Sequence, residues 1–585
     1  MARSHGGSGT AACPVAHGGG ALAGGASEAS QIELYGYRNF LTTPSDAERH
    51  KPLSEELLWR LARSMHQDGS KTLAEGNPDI PSGYTYLLQL VAHDCVHTPT
   101  PFWQIAAGKV AARNGRVARL RLDTLYGLGP VGSPLAYAPD DDEDTSRSAL
   151  RLGPMRWDKK DADPPLRDIA RCADPLAAYR TKHKDSQSTD RVKLTDPLIA
   201  DPRNEDNAIL AQMTVLWHMV HNAMLGVLVP PAAAVPDEQA RETRFVWARA
   251  ATTLVYRGIL RKDLLHRLLH PSVYKRYDEL TDETGLLDRN TAFPRPKVPV
   301  PLEFSHGAMR FAHAMIRPSY RITGKDSAAF DVRGALQQTS ARKPGEMPLD
   351  ASWILRWSNF FDGLAGPDAK AVNASLLIRP RYAGELLDRD IFPVRLRTPA
   401  GTVFDRPRGL GMQDLLSAAK APMWSVRALH AKIATAAADK HWARPFDSAV
   451  LADEATRGDA IAAWLRERPV QSFDDDDVGL IAADPPLPFY ILFEAEHCHG
   501  GKRLGPLGSI LLAETFFGAF LGDPLPGETP SAVATGLDDP LRQLAAKLDV
   551  AIAPDVQLPA AATMADLIVF VASRLGLTHA TPDFL

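Results

Sequence analysis

The sequence predicts a mainly α-helical protein with long loops and very little strand. Apolar residues recur at steps of three and four in several long segments, which is the period of a helix with one buried face. Alternating patterns typical of strands are rare and short. The 46 prolines and 42 glycines fall mostly between the helical segments, so they mark long connections. No repeat of fixed period occurs, which disfavours a solenoid.

The individual helices follow from the same periodicity. The strongest pattern begins at Asn207, just after Asp201-Pro202, which is a helix-start signal. Four more helices are predicted at about 245–265, 305–317, 488–497 and 509–521. The second of these four should end at Pro318, because proline lacks the N–H that continues a helix. Arg116–Leu122 is the clearest strand pattern, and the acidic runs at 140–144 and 474–477 are expected to be solvated loops.

Composition excludes several classes of protein. The chain has 585 residues, of which 45% are hydrophobic and 23% charged, so it can bury a large core. Lys and Arg total 66 against 70 Asp and Glu, and this near-balance is atypical of nucleic-acid binders. No apolar run approaches the ~20 residues of a transmembrane helix. The four cysteines (Cys13, Cys95, Cys172 and Cys498) are too few for a disulfide framework and favour a reducing compartment.

The amino-terminal segment differs from the rest of the chain. Residues 1–30 are rich in Gly, Ala and Ser and are predicted to be a disordered tail. The tail contains no apolar run of the ~7–15 residues that a secretory signal needs. A cytoplasmic location is therefore expected, and export by a route without a cleaved peptide stays open.

Three segments carry side chains suited to chemistry. In the first, Gln89, His93 and His97 fall at i, i+4 and i+8, on one face of a predicted helix. Such a polar stripe needs partners, because unpaired buried polar groups are costly. Taken alone, each histidine is best interpreted as a core residue with a hydrogen-bond partner. A zinc site formed by His93, Cys95 and His97 is disfavoured, because Cys95 falls near the opposite side of the helix.

The other two segments contain arginines close to histidines or acids. The second reads Asp-Pro-Arg-Asn-Glu-Asp-Asn over 201–207 and is followed, further along, by His221-Asn222. In the third, Arg310 and His313 are three residues apart and share a helix face. Taken alone, Arg203 is best interpreted as a partner of Glu205 or Asp206, Arg310 as a surface residue and His313 as a core residue.

The order of the three segments along the chain is more informative about function than any one segment alone. Gln-x-x-x-His-Asp, then Asp-Pro-Arg-Asn-x-x-Asn, then Arg-x-x-His resembles the animal-type haem peroxidases of the peroxidase–cyclooxygenase superfamily. The blocks Leu122–Gly127 and Leu487–Glu514 are similar to further blocks of that family. The resemblance is spread over about residues 35–525. It implies a single helical haem peroxidase domain over residues 31–585.

The resemblance also implies roles for five residues. His313 matches the proximal ligand of the haem iron, and Arg310 belongs to the cofactor site beside it, as in peroxidases. His93 matches the distal acid–base, Gln89 the distal glutamine and Arg203 the catalytic arginine. An imidazole with a pKa near ~6.5 can both take and return a proton. A guanidinium is permanently cationic, so it can stabilise the charge that develops when the peroxide bond breaks.

Departures from the family pattern bear on how haem is held. Relatives that bind haem through ester bonds use an Asp before the distal His, where this chain has Ala92, and a Glu where it has Asp206. Asp206 is one methylene shorter than Glu, so we expect non-covalent haem b, with an Asp206 ester as the alternative. The proximal histidine usually donates its other N–H to an acceptor. Asp414 or Gln413 is the candidate here.

A calcium site near the distal histidine is disfavoured. Asp94 matches one calcium ligand of the family, but Arg121 and Val117 stand where the facing loop would supply others. A guanidinium cannot bind calcium and repels it. Because a buried carboxylate needs a cation, we expect Arg121 to pair with Asp94 in place of the ion.

Three functions remain at this point. The favoured one is a haem peroxidase that reduces hydrogen peroxide and oxidises a small organic donor or halide by one electron. The second is a haem-dependent fatty-acid dioxygenase with a lipid substrate, suggested by the run of His93, Asp94 and Thr98. It is disfavoured because oxygenases of the superfamily place a radical-forming Tyr where this chain has Arg310. The third, a haem-binding protein without turnover, would not need His93 and Arg203.

Overall fold

The computed structural model describes residues 37–66, 76–98, 114–116, 120–139, 147–157, 165–172, 195–229, 237–287, 299–324, 328–366, 368–387, 409–442, 453–468, 473–528, 536–560, 562–578 and 584–585. Within these ranges the protein is mainly helical, and its few strands form three two-stranded antiparallel sheets, which confirms the predicted fold class. The predicted tail at 1–30 and the acidic run at 140–144 lie outside the described residues.

The longer helices are numbered here in chain order. They are α1 (Glu55–Ser64), α2 (Gly83–Cys95), α3 (Ala208–Leu225), α4 (Asp237–Ile259), α5 (Pro271–Asp278), α6 (Val332–Gln337), α7 (Gly409–Lys420), α8 (Val426–Asp439), α9 (Glu454–Arg466), α10 (Asp475–Ala483), α11 (Leu487–His499), α12 (Pro506–Gly522), α13 (Asp538–Lys547) and α14 (Met564–Arg574). The strands pair as β1 (Gly76–Pro81) with β6 (Ala374–Leu376), β2 (Leu152–Gly153) with β3 (Asp168–Ile169), and β4 (Ser319–Tyr320) with β5 (Phe330–Asp331). Two 3₁₀-helices matter for the site, Pro202–Glu205 and Ala308–Met315.

Helix α3 is the buried centre of the fold. It begins where the sequence predicts, because the Asn207 side chain accepts a hydrogen bond from the Leu210 N–H at 2.8 Å and caps the first turn. Its side chains are buried on nearly every face, and Trp217 is fully enclosed. Each large apolar side chain buried this way contributes roughly 1.5–3 kcal/mol. The helix packs against α2, α4 and α14, so it fixes the position of the helix that carries His93.

The other predicted helices are present with shifted ends. The helix expected at 488–497 is α11, and the one expected at 509–521 is α12. The helix expected at 245–265 begins earlier, at Asp237, and continues beyond Ile259 as a π-helix over Leu260–Leu264.

The segment predicted as a helix over 305–317 is helical but not α-helical. It is a π-helix over Glu303–Gly307 followed by the 3₁₀-helix Ala308–Met315. The change occurs at Gly307, which packs so closely on α11 that an added Cβ would lie 2.4 Å from a Leu487 methyl carbon. Tertiary packing, which the periodicity does not show, therefore sets the type of helix here.

Two local predictions are wrong. Arg116 and residues 120–122 are not strand, and Leu120 and Leu122 have φ values of +55° and +58°. This left-handed backbone is costly for leucine, but it turns the Leu122 N–H toward the Asp94 carboxylate. The acidic run at 474–477 is not a loop but the start of α10, where Asp474 and Asp477 form a reciprocal capping box.

None of the described helices is both long and apolar enough to cross a membrane alone. Only α10 and α11 together, bent by 87°, have the length and composition of a broken span. Most of α11 is buried in the protein core.

Candidate functional site

A cavity lies between α2 and the 3₁₀-helix Ala308–Met315. It encloses about 1090 Å³ of empty space, its open mouth included. Five of the predicted site residues line it together, although they come from three different segments: Gln89, His93, Arg203, Arg310 and His313. Two others, Asp206 and Asp414, are not among its lining residues.

Helix α2 presents Gln89 and His93 to the cavity from one face. The two residues are one turn apart, so their side chains lie one above the other. The helix ends at Cys95, and His97 lies beyond it, where its backbone N–H binds the Asn114 side chain at 2.9 Å. The prediction that His97 shares this face is therefore wrong. Among the described residues, no three His, Cys, Asp or Glu side chains are grouped as metal ligands.

His93 is held as a neutral base. Its Nδ1 lies 2.9 Å from Asn204 Oδ1, while Asn204 Nδ2 donates to the Thr124 carbonyl at 3.1 Å. This second bond fixes the orientation of the Asn204 amide, so Nδ1 of His93 must be the donor and Nε2 carries the lone pair. Burial, reinforced by the positive charge of Arg203, lowers the pKa of His93 to about 4. At neutral pH the ring can therefore accept a proton at Nε2.

Arg203 binds both Asp201 and the end of α2. Its Nε and Nη2 donate to the two Asp201 carboxylate oxygens at 3.0 and 2.7 Å. Nη1 also donates to the Val96 carbonyl at 2.7 Å, and Nη2 to the His93 carbonyl at 3.0 Å. Burial alone would raise the pKa of Asp201, but Arg203 and Arg116 hold it below its usual range. Within the described residues, these bonds use four of the five guanidinium N–H groups and leave one on Nη1 for a ligand in the cavity.

Gln89 is oriented by the residue that caps α3. Asn207 Nδ2 donates to Gln89 Oε1 at 3.1 Å, while Asn207 Oδ1 accepts the Leu210 N–H. With its oxygen engaged, the Gln89 amide presents its NH₂ group as the donor toward a ligand.

The opposite wall pairs a 3₁₀-helix with α7. A 3₁₀-helix has three residues per turn, so Arg310 and His313 lie directly above one another. Asp414 and Ser417 have the same spacing on α7 and face them. His313 Nδ1 lies 2.8 Å from Asp414 Oδ2, and Arg310 Nη2 lies 3.3 Å from Ser417 Oγ. The structure brings Asp414, one of the two predicted partners of His313, to hydrogen-bond distance of the ring.

The residues present fit a haem between these walls. Asp414 is buried, and as a carboxylate it accepts the N–H at Nδ1 of His313, which leaves Nε2 as the ring nitrogen suited to bind iron. Ala92 lines the cavity on the distal side and carries no carboxylate. Asp206 ends the turn that holds Arg203 and does not line the cavity. The side chains in place therefore suit ligation by His313 without an ester bond.

The predicted pair of Arg121 with Asp94 is wrong. Arg121 instead binds Asp523, with Nη2 to Oδ1 at 2.6 Å and Nε to Oδ2 at 2.9 Å. The buried Asp94 carboxylate accepts the backbone N–H groups of Leu122 at 3.0 Å and Thr124 at 3.3 Å. Burial, together with the charge of Asp123, raises the pKa of Asp94 to about 6, and the positive charge of Arg116 partly offsets this rise.

This arrangement does not fit calcium. The carboxylate oxygens of Asp94 face N–H donors rather than the further oxygen ligands that the ion requires. Nearby, Asp123 binds Arg249 at 3.2 Å. Two backbone amides and a more distant arginine thus take the place of a bound cation.

We therefore expect chelation to leave the protein unchanged. Dialysis against EDTA should not alter its thermal unfolding temperature, because the backbone N–H groups of Leu122 and Thr124 bind the Asp94 carboxylate. Calorimetry before and after dialysis measures this. A lower unfolding temperature that added Ca²⁺ restores would contradict it.

Several residues of the site were not assigned by the sequence interpretation. Asn204 and Asn207 stand inside the recognised Asp-Pro-Arg-Asn-x-x-Asn block, so the motif contained the signal although their partners were not predicted. Asp201 was interpreted only as a helix start, yet it binds Arg203 and Arg116. Tyr382, which donates to Asp414 Oδ2 at 3.0 Å, lies outside every recognised block.

Comparison with known proteins finds a family match within the chain. Residues 169–375, which are 207 of the 585 residues, match the family model described as animal haem peroxidase. The matched residues contain Arg203, Arg310 and His313, whereas Gln89 and His93 precede them. Comparison with curated protein sequences finds no match.

Several solved structures are similar to this chain. Peroxidase A from Dictyostelium discoideum is similar with a TM-score of 0.51 at 12% identity, over 94% of this chain and 95% of that chain. Fatty acid alpha-dioxygenase from Arabidopsis thaliana gives a TM-score of 0.47 at 11% identity, over 90% of this chain and 77% of the other. The Oryza sativa enzyme of the same name gives 0.48 at 10% identity, over 93% and 86%.

Proposed function

We propose that the protein is a haem-dependent peroxidase that reduces hydrogen peroxide and oxidises a small organic donor or halide by one electron at a time. The observation that carries this proposal is the pairing of two oriented imidazoles across one cavity. His93 is held by Asn204 with its lone pair at Nε2, and His313 is held by Asp414 in the same tautomer. A protein that only bound haem would need His313 but not His93.

The distal residues can carry out the proton transfer that peroxide reduction requires. Haem, when bound, supplies the iron at which peroxide is reduced. His93 Nε2 takes the proton from one peroxide oxygen and returns it to the other, which leaves as water. Arg203 stabilises the negative charge that develops on the leaving oxygen. Its ion pair with Asp201 partly offsets the positive charge that the guanidinium offers for this purpose. The Gln89 NH₂ group can hold the peroxide or a water in line.

The surroundings of Arg310 favour a peroxidase over a fatty-acid dioxygenase. Arg310 occupies the position of the oxygenase tyrosine, and its guanidinium binds the Ser305 carbonyl at 3.1 Å and the Ser417 hydroxyl at 3.3 Å. A guanidinium cannot form the radical that starts fatty-acid oxygenation.

The two functions differ in what they consume. Haem-loaded protein should turn over hydrogen peroxide with an organic one-electron donor, and it should take up no oxygen when given a long-chain fatty acid. Peroxide consumption and oxygen uptake are measured in parallel on one preparation. Oxygen uptake with fatty acid, in the absence of peroxide turnover, would replace the peroxidase proposal with the dioxygenase.

The pKa of His93 predicts the pH dependence of the peroxide reaction. Because burial lowers this pKa to about 4, the base form predominates at every pH well above 4. The second-order rate constant should be level from about pH 5 to pH 8 and fall about tenfold per unit as the pH drops below 4. The lowered pKa of His93 also makes the folded state less stable as the pH falls from about 6.5 to about 4. Over this range the histidine of the unfolded chain binds a proton, whereas that of the folded chain does not. Rates should therefore be taken immediately after a pH jump.

The haem should be extractable. Ala92 has no carboxylate and Asp206 does not line the cavity, so no ester bond to the polypeptide is expected. Acidified organic solvent should move all the haem into the organic phase. Haem that stays with the denatured polypeptide, and is lost in Asp206→Ala, would show the ester.

A further inference from the structure

The Asp414 carboxylate receives donors from three side chains. His313 Nδ1 and the Tyr382 hydroxyl both bind Oδ2, at 2.8 and 3.0 Å. The Arg310 guanidinium lies 3.5 Å from the other oxygen, Oδ1. Two donors therefore share one carboxylate oxygen, and one of them is the ring proposed to bind iron.

Tyr382 is fixed independently of this contact. Its backbone N–H donates to the Met65 carbonyl at 2.6 Å, and its ring lies 5.5 Å from the His66 ring. The side chain is fully buried. A tyrosine hydroxyl is protonated at neutral pH and can donate one hydrogen bond, which this geometry directs to Asp414.

Two hydrogen bonds to the same carboxylate oxygen weaken each other. Each hydrogen bond to a carboxylate oxygen draws electron density from it, so the hydroxyl makes Asp414 a weaker acceptor for the His313 N–H. A weaker acceptor leaves more of the proton on Nδ1, and the ring then donates less electron density through Nε2. Outer partners of this kind tune the potential of a haem iron.

We propose that Tyr382 is a positioning residue of the cofactor site. Its hydroxyl weakens the hydrogen bond that Asp414 accepts from the Nδ1–H of His313, and this sets the reduction potential of the bound iron. The proposal rests on the proposed haem ligation by His313. It assigns a role to a residue that touches neither the cofactor nor the peroxide.

The test uses two variants with opposite expected signs. Tyr382→Phe keeps the buried ring and removes the hydroxyl, so the midpoint potential of the haem should shift negative. Asp414→Asn removes the charged acceptor, so the potential should shift positive. We expect each change to be on the order of tenfold in the Fe(III)/Fe(II) equilibrium constant, which is about 59 mV for a one-electron couple. In the Asp414→Asn background, Tyr382→Phe should have little further effect.

A matched control is Tyr490→Phe. The Tyr490 hydroxyl is also buried and binds a histidine, His430, at 2.9 Å, but it does not line the cavity. Loss of this hydroxyl should leave the potential unchanged. If Tyr382→Phe fails to fold, 3-fluorotyrosine placed at 382 keeps the ring, makes the hydroxyl a stronger donor and should shift the potential positive.

The outcomes separate this inference from the proposed function. Haem content by absorption is measured first on each variant. Haem bound normally with an unchanged potential in Tyr382→Phe, or a shift of the same sign in both variants, overturns the role of Tyr382 alone. A wild-type chain that binds no haem overturns both proposals.

Discussion

Replacing His313 with alanine is expected to abolish stable haem binding. His313 is the histidine that both lines the cavity and donates Nδ1–H to a buried carboxylate, so it is the side chain best prepared to bind iron through Nε2. The His313→Ala protein should fold, because the side chain is partly exposed to the cavity, but it should show no Soret absorption after haem is added and excess is removed.

The matched control for this variant is His497→Ala. His497 is exposed at the end of α11, and its loss should leave haem content unchanged. A normal Soret band in His313→Ala would mean that another residue binds the iron. Exogenous imidazole offers a further check, because it should restore absorption to the alanine variant if the vacated space is the ligand position.

Replacing His93 with alanine should leave haem bound and slow its reaction with peroxide by ~10²–10⁴-fold, the usual contribution of a positioned acid–base group. Stopped-flow mixing with peroxide measures this rate. His97→Ala is the neighbouring control, because His97 lies past the end of α2 and does not line the cavity. Unchanged rates in His93→Ala would remove His93 from the reaction.

The distal arginine should behave differently from His93. Arg203→Ala should slow the same step, but it also removes four hydrogen bonds that join Asp201 and the end of α2. It should therefore lower the unfolding temperature as well, whereas His93→Ala should not lower it to the same extent. A variant of Arg203 that loses stability but keeps the normal rate would assign the arginine to structure only.

The main helices could be predicted because their apolar period is local to the sequence. The predicted start of α3 at Asn207 and the positions of α11 and α12 agree with the structure for this reason. The type of helix over 303–315 could not be predicted, because it depends on the contact of Gly307 with Leu487, far along the chain.

The residues that line the candidate site could also be predicted from the sequence. Helical spacing predicts that Gln89 and His93 lie close together, and the resemblance adds three more residues to the site. All five line one cavity: Gln89, His93, Arg203, Arg310 and His313.

The partners of charged side chains were harder to predict than their presence. Arg121 was expected beside Asp94 because of its register in a neighbouring block, yet it binds Asp523, about 400 residues later. Backbone N–H groups, which have no sequence signature, satisfy Asp94 instead. The contact of Tyr382 with Asp414 likewise joins two segments that no pattern connects.

The central claim is that a haem lies between His93 and His313 and reacts there with peroxide. Absorption spectra of the purified, haem-loaded protein, recorded before and after one equivalent of hydrogen peroxide, test it most directly. We predict a Soret band at one haem per chain that changes within milliseconds of mixing in the wild type, changes far more slowly in His93→Ala and is absent in His313→Ala. A wild-type protein that binds no haem, or whose bound haem does not react with peroxide, would contradict the claim.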